Sequence, residues 1–380
     1  MQAKTVEPGN LDQAQAIAQR AARVLEAGEL VAFPTETVYG VGASAASEAG
    51  IRALRELKAE GQPRAFAVHL PSPAAAERYL DLSTSPGLQR FIHKVFPGPV
   101  TLIAQVSDDV IDRKLKALNL ENRGDRLYHA NTIALRCPAH SLTQELLAAT
   151  NAPVVAGAAH RKAQPPARDA QEAVEALGQD VGMVVDGGRC RYAKLSTVVR
   201  VSGTGADQTI RVEREGVYDE RFIRKLMRWT MLLVCSGNTC RSPMAQGMAR
   251  RMLAERRGVA ETELESAGLR VISAGLNAAE GAPPSPNAVE ALRKQHIDIS
   301  GHRARELTPQ MINEADVIYT MTEPHRETIT SMFPSAAEKT FTLDPNGDIE
   351  DPIGSDASSY QRSAELIRRR LDQRLKEQQP

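Results

Sequence analysis

The run from Met231 to Pro243, Met-Leu-Leu-Val-Cys-Ser-Gly-Asn-Thr-Cys-Arg-Ser-Pro, constrains this chain more than any other stretch. Its apolar start reads as a short strand. A compact polar loop follows, with Cys235 at its head and Arg241 six residues on, and Ser242-Pro243 opens an amphipathic helix. Proline suits the first helical turn, where no backbone N–H is needed. In a strand–loop–helix turn the backbone N–H groups of the loop converge on one point, and the helix N-terminus adds partial positive charge. Such a cradle binds phosphate and favours the thiolate of a cysteine at its floor. Cys235 is thus the candidate nucleophile. Arg241 is the fork that grips equatorial phosphoryl oxygens, and Ser242 is a hydroxyl donor that steadies the sulfur. Ser236, Gly237, Asn238, Thr239 and Cys240 complete the phosphate-binding loop. Gly237 permits a positive φ there, and Asn238 tolerates one.

Phosphoryl transfer to Cys235 also needs an acid for the leaving group. Two Asp-Pro pairs compete for that role, Asp344-Pro345 and Asp351-Pro352. Asp344-Pro-Asn-Gly reads as a turn. The methionines at 244, 248 and 252 recur at helical spacing and read as a core face.

Cys235-Ser-Gly-Asn-Thr-Cys-Arg-Ser-Pro-Met-Ala resembles the low-molecular-weight protein-tyrosine phosphatase family, including its protein-arginine phosphatase branch. The likeness runs from about residue 230 to the end. It recurs at Ser273-Ala-Gly, Gly301-His-Arg-Ala-Arg-Glu-Leu-Thr308, Ala315-Asp-Val-Ile, Met321-Thr322 and Asp351-Pro352. It implies a parallel-sheet, Rossmann-like fold and selects Asp351 as the acid, which would then act as base toward water in the second step. It also implies a redox role for Cys240 as the partner of an oxidised Cys235, and a supporting role for His302 toward the loop asparagine. Thr239 stands where the arginine branch has threonine and the tyrosine branch a branched apolar residue. Ile353 departs from the arginine branch, which often has an aromatic there. Phosphoarginine is the preferred substrate group on this basis, with phosphotyrosine the alternative and phosphorylated proteins the partners. The mechanism calls for no metal and no cofactor.

The chain's 380 residues suffice for two domains. Alternating strands and amphipathic helices indicate α/β architecture in both. Composition places the boundary after residue 227, giving domains 1–227 and 228–380. Lysine plus arginine equals aspartate plus glutamate at 47 each, so no global field recruits nucleic acid or membrane. The four cysteines form no secreted disulfide framework, and neither a signal core nor a run of eighteen apolar residues is present. These features lead to the expectation of a cytoplasmic protein with no membrane contact.

In the first domain, residues 12–27 read as a helix and Leu30–Phe33 as a strand, followed by a turn rich in hydroxyls. Residues alone take the domain no further than an α/β unit with a polar pocket. Phe33-Pro-Thr-Glu-Thr-Val-Tyr-Gly-Val-Gly, however, resembles the opening motif of the Sua5/YrdC/YwlC family, the threonylcarbamoyl-AMP synthases of tRNA modification. Phe96-Pro-Gly-Pro-Val-Thr101, Thr132-Ile-Ala-Leu-Arg-Cys-Pro138, Asp186-Gly-Gly, Ser196-Thr-Val-Val and Arg214-Glu-Gly216 follow in the family's order. The resemblance implies the twisted α/β fold of that family. It also implies a threonine–bicarbonate site at Thr35, His69, Arg136 and Ser196, with Lys58, Thr132 and Arg214 toward ATP (with magnesium) as substrate.

Two motifs depart from that pattern. The family's Lys-x-Arg-Pro is here Lys58-Ala-Glu-Gly61, which puts a carboxylate where a guanidinium would meet triphosphate, with Arg64 a partial compensation. The family's Ser-x-Ser-Ala-Asn is here Ala156-Gly-Ala-Ala-His160. Three polar contacts are lost, each worth about 1.5–3 kcal/mol toward a charged ligand. A synthase-like domain with impaired or changed activity is the first expectation. The alternatives are a bifunctional enzyme that also makes threonylcarbamoyl-AMP, and a nucleotide or RNA sensor that regulates the phosphatase.

Overall fold

The computed structural model describes residues 4–6, 11–58, 66–161, 164–203 and 209–378, so Glu60, Gly61 and Arg64 lie outside the described residues. It separates into two compact units, Met1–Arg224 and Lys225–Pro380. The division falls within the helix Glu220–Met227, slightly ahead of the boundary read from composition. No helix among the described residues is long and apolar enough to cross a membrane.

The first unit runs β1 (Lys4–Val6), α1 (Leu11–Glu26), β2 (Val31–Phe33), β3 (Gly40–Ser44), α2 (Glu48–Lys58), β4 (Ala67–His69), α3 (Pro86–Val95), β5 (Val100–Gln105) and α4 (Asp108–Ala117). It continues with β6 (Tyr128–His129), β7 (Thr132–Arg136), α5 (Ser141–Ala149), β8 (Val154–Ala158), α6 (Ala170–Leu177), β9 (Met183–Val185), β10 (Thr197–Ser202), β11 (Thr209–Arg214) and the first half of α7 (Glu220–Met227), whose second half belongs to the second unit. The strands form one mixed sheet in the order β1-β9-β2-β3-β8-β4-β7-β5-β10-β11, with β6 on β7. Phe33, Val31 and Val185 bury one sheet face against Ala21 and Leu25 of α1 and Leu146 of α5. The parallel pairing of β4 with β7 sets His69 opposite Arg136, so two residues far apart in sequence arrive side by side.

The second unit runs β12 (Trp229–Cys235), α8 (Arg241–Arg257), β13 (Leu269–Gly275), α9 (Pro286–Arg293), α10 (Pro309–Glu314), β14 (Val317–Thr320), α11 (Glu323–Met332), β15 (Thr340–Thr342) and α12 (Ala357–Gln378). Its four strands are all parallel, in the order β13-β12-β14-β15. Every residue of β12 is buried, as befits a strand covered on both faces. Trp229, Met231, Leu233 and Cys235 pack with Met244 and Met248 of α8 and with Ile367 and Leu371 of α12. Leu232 and Val234 face the opposite layer with Ile312 and Ile329. Met244 and Met248 are therefore core residues, with Met252 packed at the edge. From β12 the chain passes to β13 on one side and later to β14 on the other. The carboxyl end of β12 is thus a topological switch point, where open α/β sheets bind ligands. Cys235 occupies it.

Candidate active site

The loop leaving β12 folds over the N-terminus of α8. The Cys235 sulfur accepts the Asn238 backbone N–H at 3.3 Å and lies 3.0 Å from Ser242 Oγ. Asn238 Nδ2 donates to Ser242 Oγ at 2.8 Å, and the serine hydrogen has the sulfur at 3.0 Å as its nearer acceptor and the Ala274 carbonyl at 3.5 Å as its farther one. Asn238 Nδ2 also donates to Ser273 Oγ at 2.9 Å, and its Oδ1 accepts the Arg305 backbone N–H at 3.0 Å. His302 Nε2–H donates to the Asn238 carbonyl at 2.9 Å, and burial lowers the pKa of that imidazole. The loop is thus held from the ends of β13 and from the 301–305 segment. Gly275 closes the packing, since a Cβ there would meet the Ser236 carbonyl at 2.5 Å and the Asn238 nitrogen at 3.0 Å.

Of the two residues expected to allow a left-handed backbone, Asn238 adopts it (φ 54°) and Gly237 does not. The left-handed backbone is strained for a residue with a side chain, and the bonds at both ends of the asparagine amide offset that strain. Gly237 has room about it, since a Cβ at that position would meet only Thr239 Oγ1 at 3.7 Å.

Arg241 is 3% exposed, so its fork is fixed by the fold. Nη1 donates to the Ile349 carbonyl at 3.0 Å, and Nη2 donates to Ser236 Oγ at 3.3 Å and to the Asp351 carboxylate. Nε is buried without a partner among the described residues. The Asp351 side chain, 36% exposed, stands at the open side of this cluster, with Ile353 65% exposed beside it. Asp344 is turned elsewhere. Its Oδ2 pairs with Arg370 Nε at 2.9 Å and its Oδ1 accepts the Asn346 N–H at 2.9 Å, the geometry of a turn.

Cys240 Sγ lies 3.3 Å from Ser285 Oγ, 3.5 Å from the Tyr360 hydroxyl and 3.6 Å from Thr239 Oγ1. Thr239 is half-buried at the loop rim. All four cysteines are free thiols. The sequence did not single out His325, at the first turn of α11, whose Nε2 lies 2.9 Å from Ser236 Oγ. A signal for it exists in Met321-Thr-Glu-Pro-His, where a threonine cap turns the third following residue inward, but the family likeness rests on the first two residues of that run alone. Ser285 and Tyr360 are likewise visible in the sequence only as helix residues. A cleft of about 550 Å³ opens behind the loop, lined by Gly247, Arg250, His302 and Arg305, and not over Cys235.

In the first unit, Arg136 Nη2 donates to Thr35 Oγ1 and to Glu36 Oε1, each at 3.1 Å, and to Thr37 Oγ1. Glu36 Oε2 accepts the Ala139 N–H at 2.8 Å. Sequence reasoning missed this buried ion pair, because Glu36 stands in its motif with no role attached and its partner is a hundred residues away. His69 is held neutral, its pKa lowered to about 3 by burial and by the Arg136 charge, with Nδ1 3.0 Å from the Ala67 carbonyl. Ser196 Oγ lies 2.9 Å from Thr101 Oγ1, and Arg214 Nη2 donates to the Ser196 carbonyl at 3.0 Å. Burial and Arg136 both lower the pKa of Arg214. A cavity of about 280 Å³ opens beside Thr35 and Glu36, bounded by Pro97, His140, Arg191 and Tyr218. Thr132 stands apart from this cluster. It sits four residues back along β7, about 13 Å from Arg136 at the strand rise, and donates to the His129 carbonyl at 2.8 Å. Lys58 Nζ donates to the carbonyls of Ala158 and His160, the latter at 2.9 Å.

Comparison with known proteins gives two matches on separate stretches. The Sua5/YciO/YrdC family, described as telomere recombination, matches residues 23–216. The low molecular weight phosphotyrosine protein phosphatase family matches residues 230–379. A Ralstonia nicotianae protein named as a probable low molecular weight protein-tyrosine-phosphatase, EpsP, is 37% identical over 145 residues, 38% of this chain and 91% of its own. The protein-arginine-phosphatase of Bacillus subtilis is 34% identical over 152 residues, 39% of this chain and 95% of its own. The threonylcarbamoyl-AMP synthase of Bacillus subtilis is 31% identical over 183 residues, 47% of this chain and 49% of its own. The chain therefore spans about half the length of that synthase.

Proposed function

The chain belongs to the Sua5/YciO/YrdC family through its first unit and to the low molecular weight phosphotyrosine protein phosphatase family through its second, and from that premise we propose that it is a cysteine-dependent protein phosphatase working through a phosphocysteine intermediate. One observation carries the reading: the Cys235 sulfur receives a backbone N–H and a serine hydroxyl while Arg241 and Asp351 meet beside the same loop. Cys235 attacks phosphorus, and Arg241 and the loop N–H groups hold the equatorial oxygens. Asp351 gives its proton to the departing nitrogen or oxygen, and Ser242 steadies the sulfur as it later leaves. The same carboxylate then takes a proton from the water that cleaves phosphocysteine. No step calls on a metal or a cofactor.

Phosphoarginine in proteins is the proposed substrate group. Thr239 at the loop rim offers a hydroxyl to a planar, polar guanidinium, and exposed Ile353 supplies the apolar side. The test is kcat/KM for phosphoarginine and phosphotyrosine peptides, with Thr239→Ile as the paired variant. A wild-type preference for phosphoarginine that the variant reverses supports the assignment. A wild-type preference for phosphotyrosine returns the site to the tyrosine branch and removes Thr239 as its selector.

For the first unit the proposal is a synthase-like domain with impaired or changed activity. It is favoured by Lys58, whose ammonium is engaged by the carbonyls of the altered Ala156–His160 strand end. A bifunctional enzyme that also forms threonylcarbamoyl-AMP from threonine, bicarbonate and ATP is the alternative. A sensor is the third reading, tested by calorimetry with ATP, AMP and short RNA. It requires binding that shifts the phosphatase rate, and a protein that binds none of them is not a sensor.

A further inference from the structure

His325 is buried at the start of α11 and is bonded on both ring nitrogens. Nδ1 lies 2.8 Å from Thr322 Oγ1, the cap of its own helix, and Nε2 lies 2.9 Å from Ser236 Oγ. Ser236 Oγ in turn accepts from Arg241 Nη2 at 3.3 Å. A hydroxyl that accepts from a cation is polarised into a better donor, and the hydrogen of Ser236 has Nε2 as its acceptor. In this assignment Arg241 donates to Ser236, Ser236 donates to Nε2, and Nδ1–H donates to Thr322 Oγ1, which also accepts the His325 backbone N–H at 3.4 Å.

Resting on the phosphatase reading above, we propose that His325 is a positioning residue: a neutral, Nδ1-protonated imidazole that fixes the Ser236 hydroxyl and, through it, the plane of the Arg241 fork. Protonation puts a hydrogen on Nε2 and reverses that bond. Ser236 must then accept from both the imidazolium and Arg241, a second positive charge enters beside the guanidinium, and the fork is released. The charged groups acting on the ring are Arg241, which opposes its protonation, and Asp348 and Asp351, which favour it. Burial first and Arg241 second lower the pKa of His325, with the two carboxylates opposing, so the neutral form persists at neutral pH. A bound phosphate dianion offsets the Arg241 charge and therefore raises that pKa.

Two measurements on the full chain test this. The first is nitrogen-resolved NMR of the His325 imidazole with and without inorganic phosphate. The expected result is an Nδ1–H tautomer that titrates below the ordinary histidine value and moves upward with phosphate. An Nε2–H tautomer in the free protein overturns the proposal. The second is the pH profile of p-nitrophenyl phosphate turnover for wild type, His325→Ala, His325→Gln, Ser236→Ala and the Ser236→Ala/His325→Ala pair. His325→Ala should lower kcat about tenfold and move KM less than about threefold, and the double variant should be no slower than the slower single one. His325→Gln offers an amide oxygen to Ser236, so it should recover most of the rate while losing one ionisation from the acid limb. Single losses that multiply in the double variant, or a glutamine variant that keeps the wild-type acid limb, also overturn it. A wild type that turns over neither this ester nor phosphopeptides fails as a phosphatase instead, and the NMR result still decides the state of His325.

Discussion

The Arg241 guanidinium donates to the Asp351 carboxylate, so the group that would grip phosphate and the group that would protonate its leaving atom are held together across 110 residues. The pairing places the Asp351 carboxylate at the mouth of the loop, while the buried Arg241 stays fixed beneath it. An acid of this kind matters in proportion to how badly the leaving group needs a proton. Asp351→Asn should therefore slow phosphoarginine or alkyl phosphate turnover by about 10²–10⁴-fold and p-nitrophenyl phosphate far less. Equal losses on both substrates would remove Asp351 from the acid role.

Cys240 is buried among three hydroxyls, those of Ser285, Tyr360 and Thr239, inside the loop that carries Cys235. A neighbouring thiol can trap a sulfenic acid as a disulfide before further oxidation, with hydrogen peroxide as oxidant and water as the leaving product. Wild-type activity lost to peroxide should return with dithiothreitol, whereas Cys240→Ser treated alike should stay inactive. Equal recovery by the two proteins would leave Cys240 as part of the loop wall.

The Cys235 loop was legible because its pattern is local: strand, cysteine, arginine and helix start lie within thirteen consecutive residues. The groups that the sequence did not single out act across the sheet. His325 reaches Ser236 over 89 residues, and Tyr360 reaches Cys240 over 120. The threonine cap in Met321-Thr-Glu-Pro-His turns His325 inward but does not name its partner, and the local pattern around Tyr360 is that of an ordinary helix residue. The loop backbone shows a subtler limit. Glycine is the residue most at ease at positive φ, yet Asn238 takes that conformation because its amide bonds to Ser242, Ser273 and the Arg305 backbone. Those partners lie on other elements or further along the chain, beyond what local propensity encodes.

His69 gives the first unit a pH-dependent stability. Its pKa falls from the ordinary 6.5 to about 3 in the folded chain, from burial first and Arg136 second. Between those values the unfolded chain binds a proton that the folded chain refuses, so stability falls as pH falls through that window and is fully present above it. By pH 5 the loss should reach about 2 kcal/mol, taking about 1.4 kcal/mol per unit below the unfolded value. Hydrogen exchange of the β4 and β7 amides measures it in the full chain, since the single tryptophan, Trp229, reports on the second unit. His69→Gln should be less stable at pH 7.5 and flatter between pH 7 and 5. A variant with the wild-type slope would assign the acid sensitivity to other groups.

The altered nucleotide motifs of the first unit make opposite demands on a reversion. At Ala158 and His160 the backbone carbonyls engage Lys58, and both side chains are only partly buried, so a serine and an asparagine there have room for polar partners. Ala156 is different. It packs with Phe33, Leu146 and Val154 in the core and is 2% exposed, so a serine hydroxyl must find an acceptor or lose about 1–3 kcal/mol. The combined variant Glu60→Arg, Ala156→Ser, Ala158→Ser, His160→Asn should thus be somewhat less stable than wild type yet gain threonine-dependent pyrophosphate release from ATP, which wild type should lack or show only weakly. Omitting Ala156→Ser should restore the stability and keep part of the gain. Abundant release by the wild-type chain would instead make the protein bifunctional, with the Lys58 contacts to the Ala158 and His160 carbonyls exchanged for nucleotide during turnover.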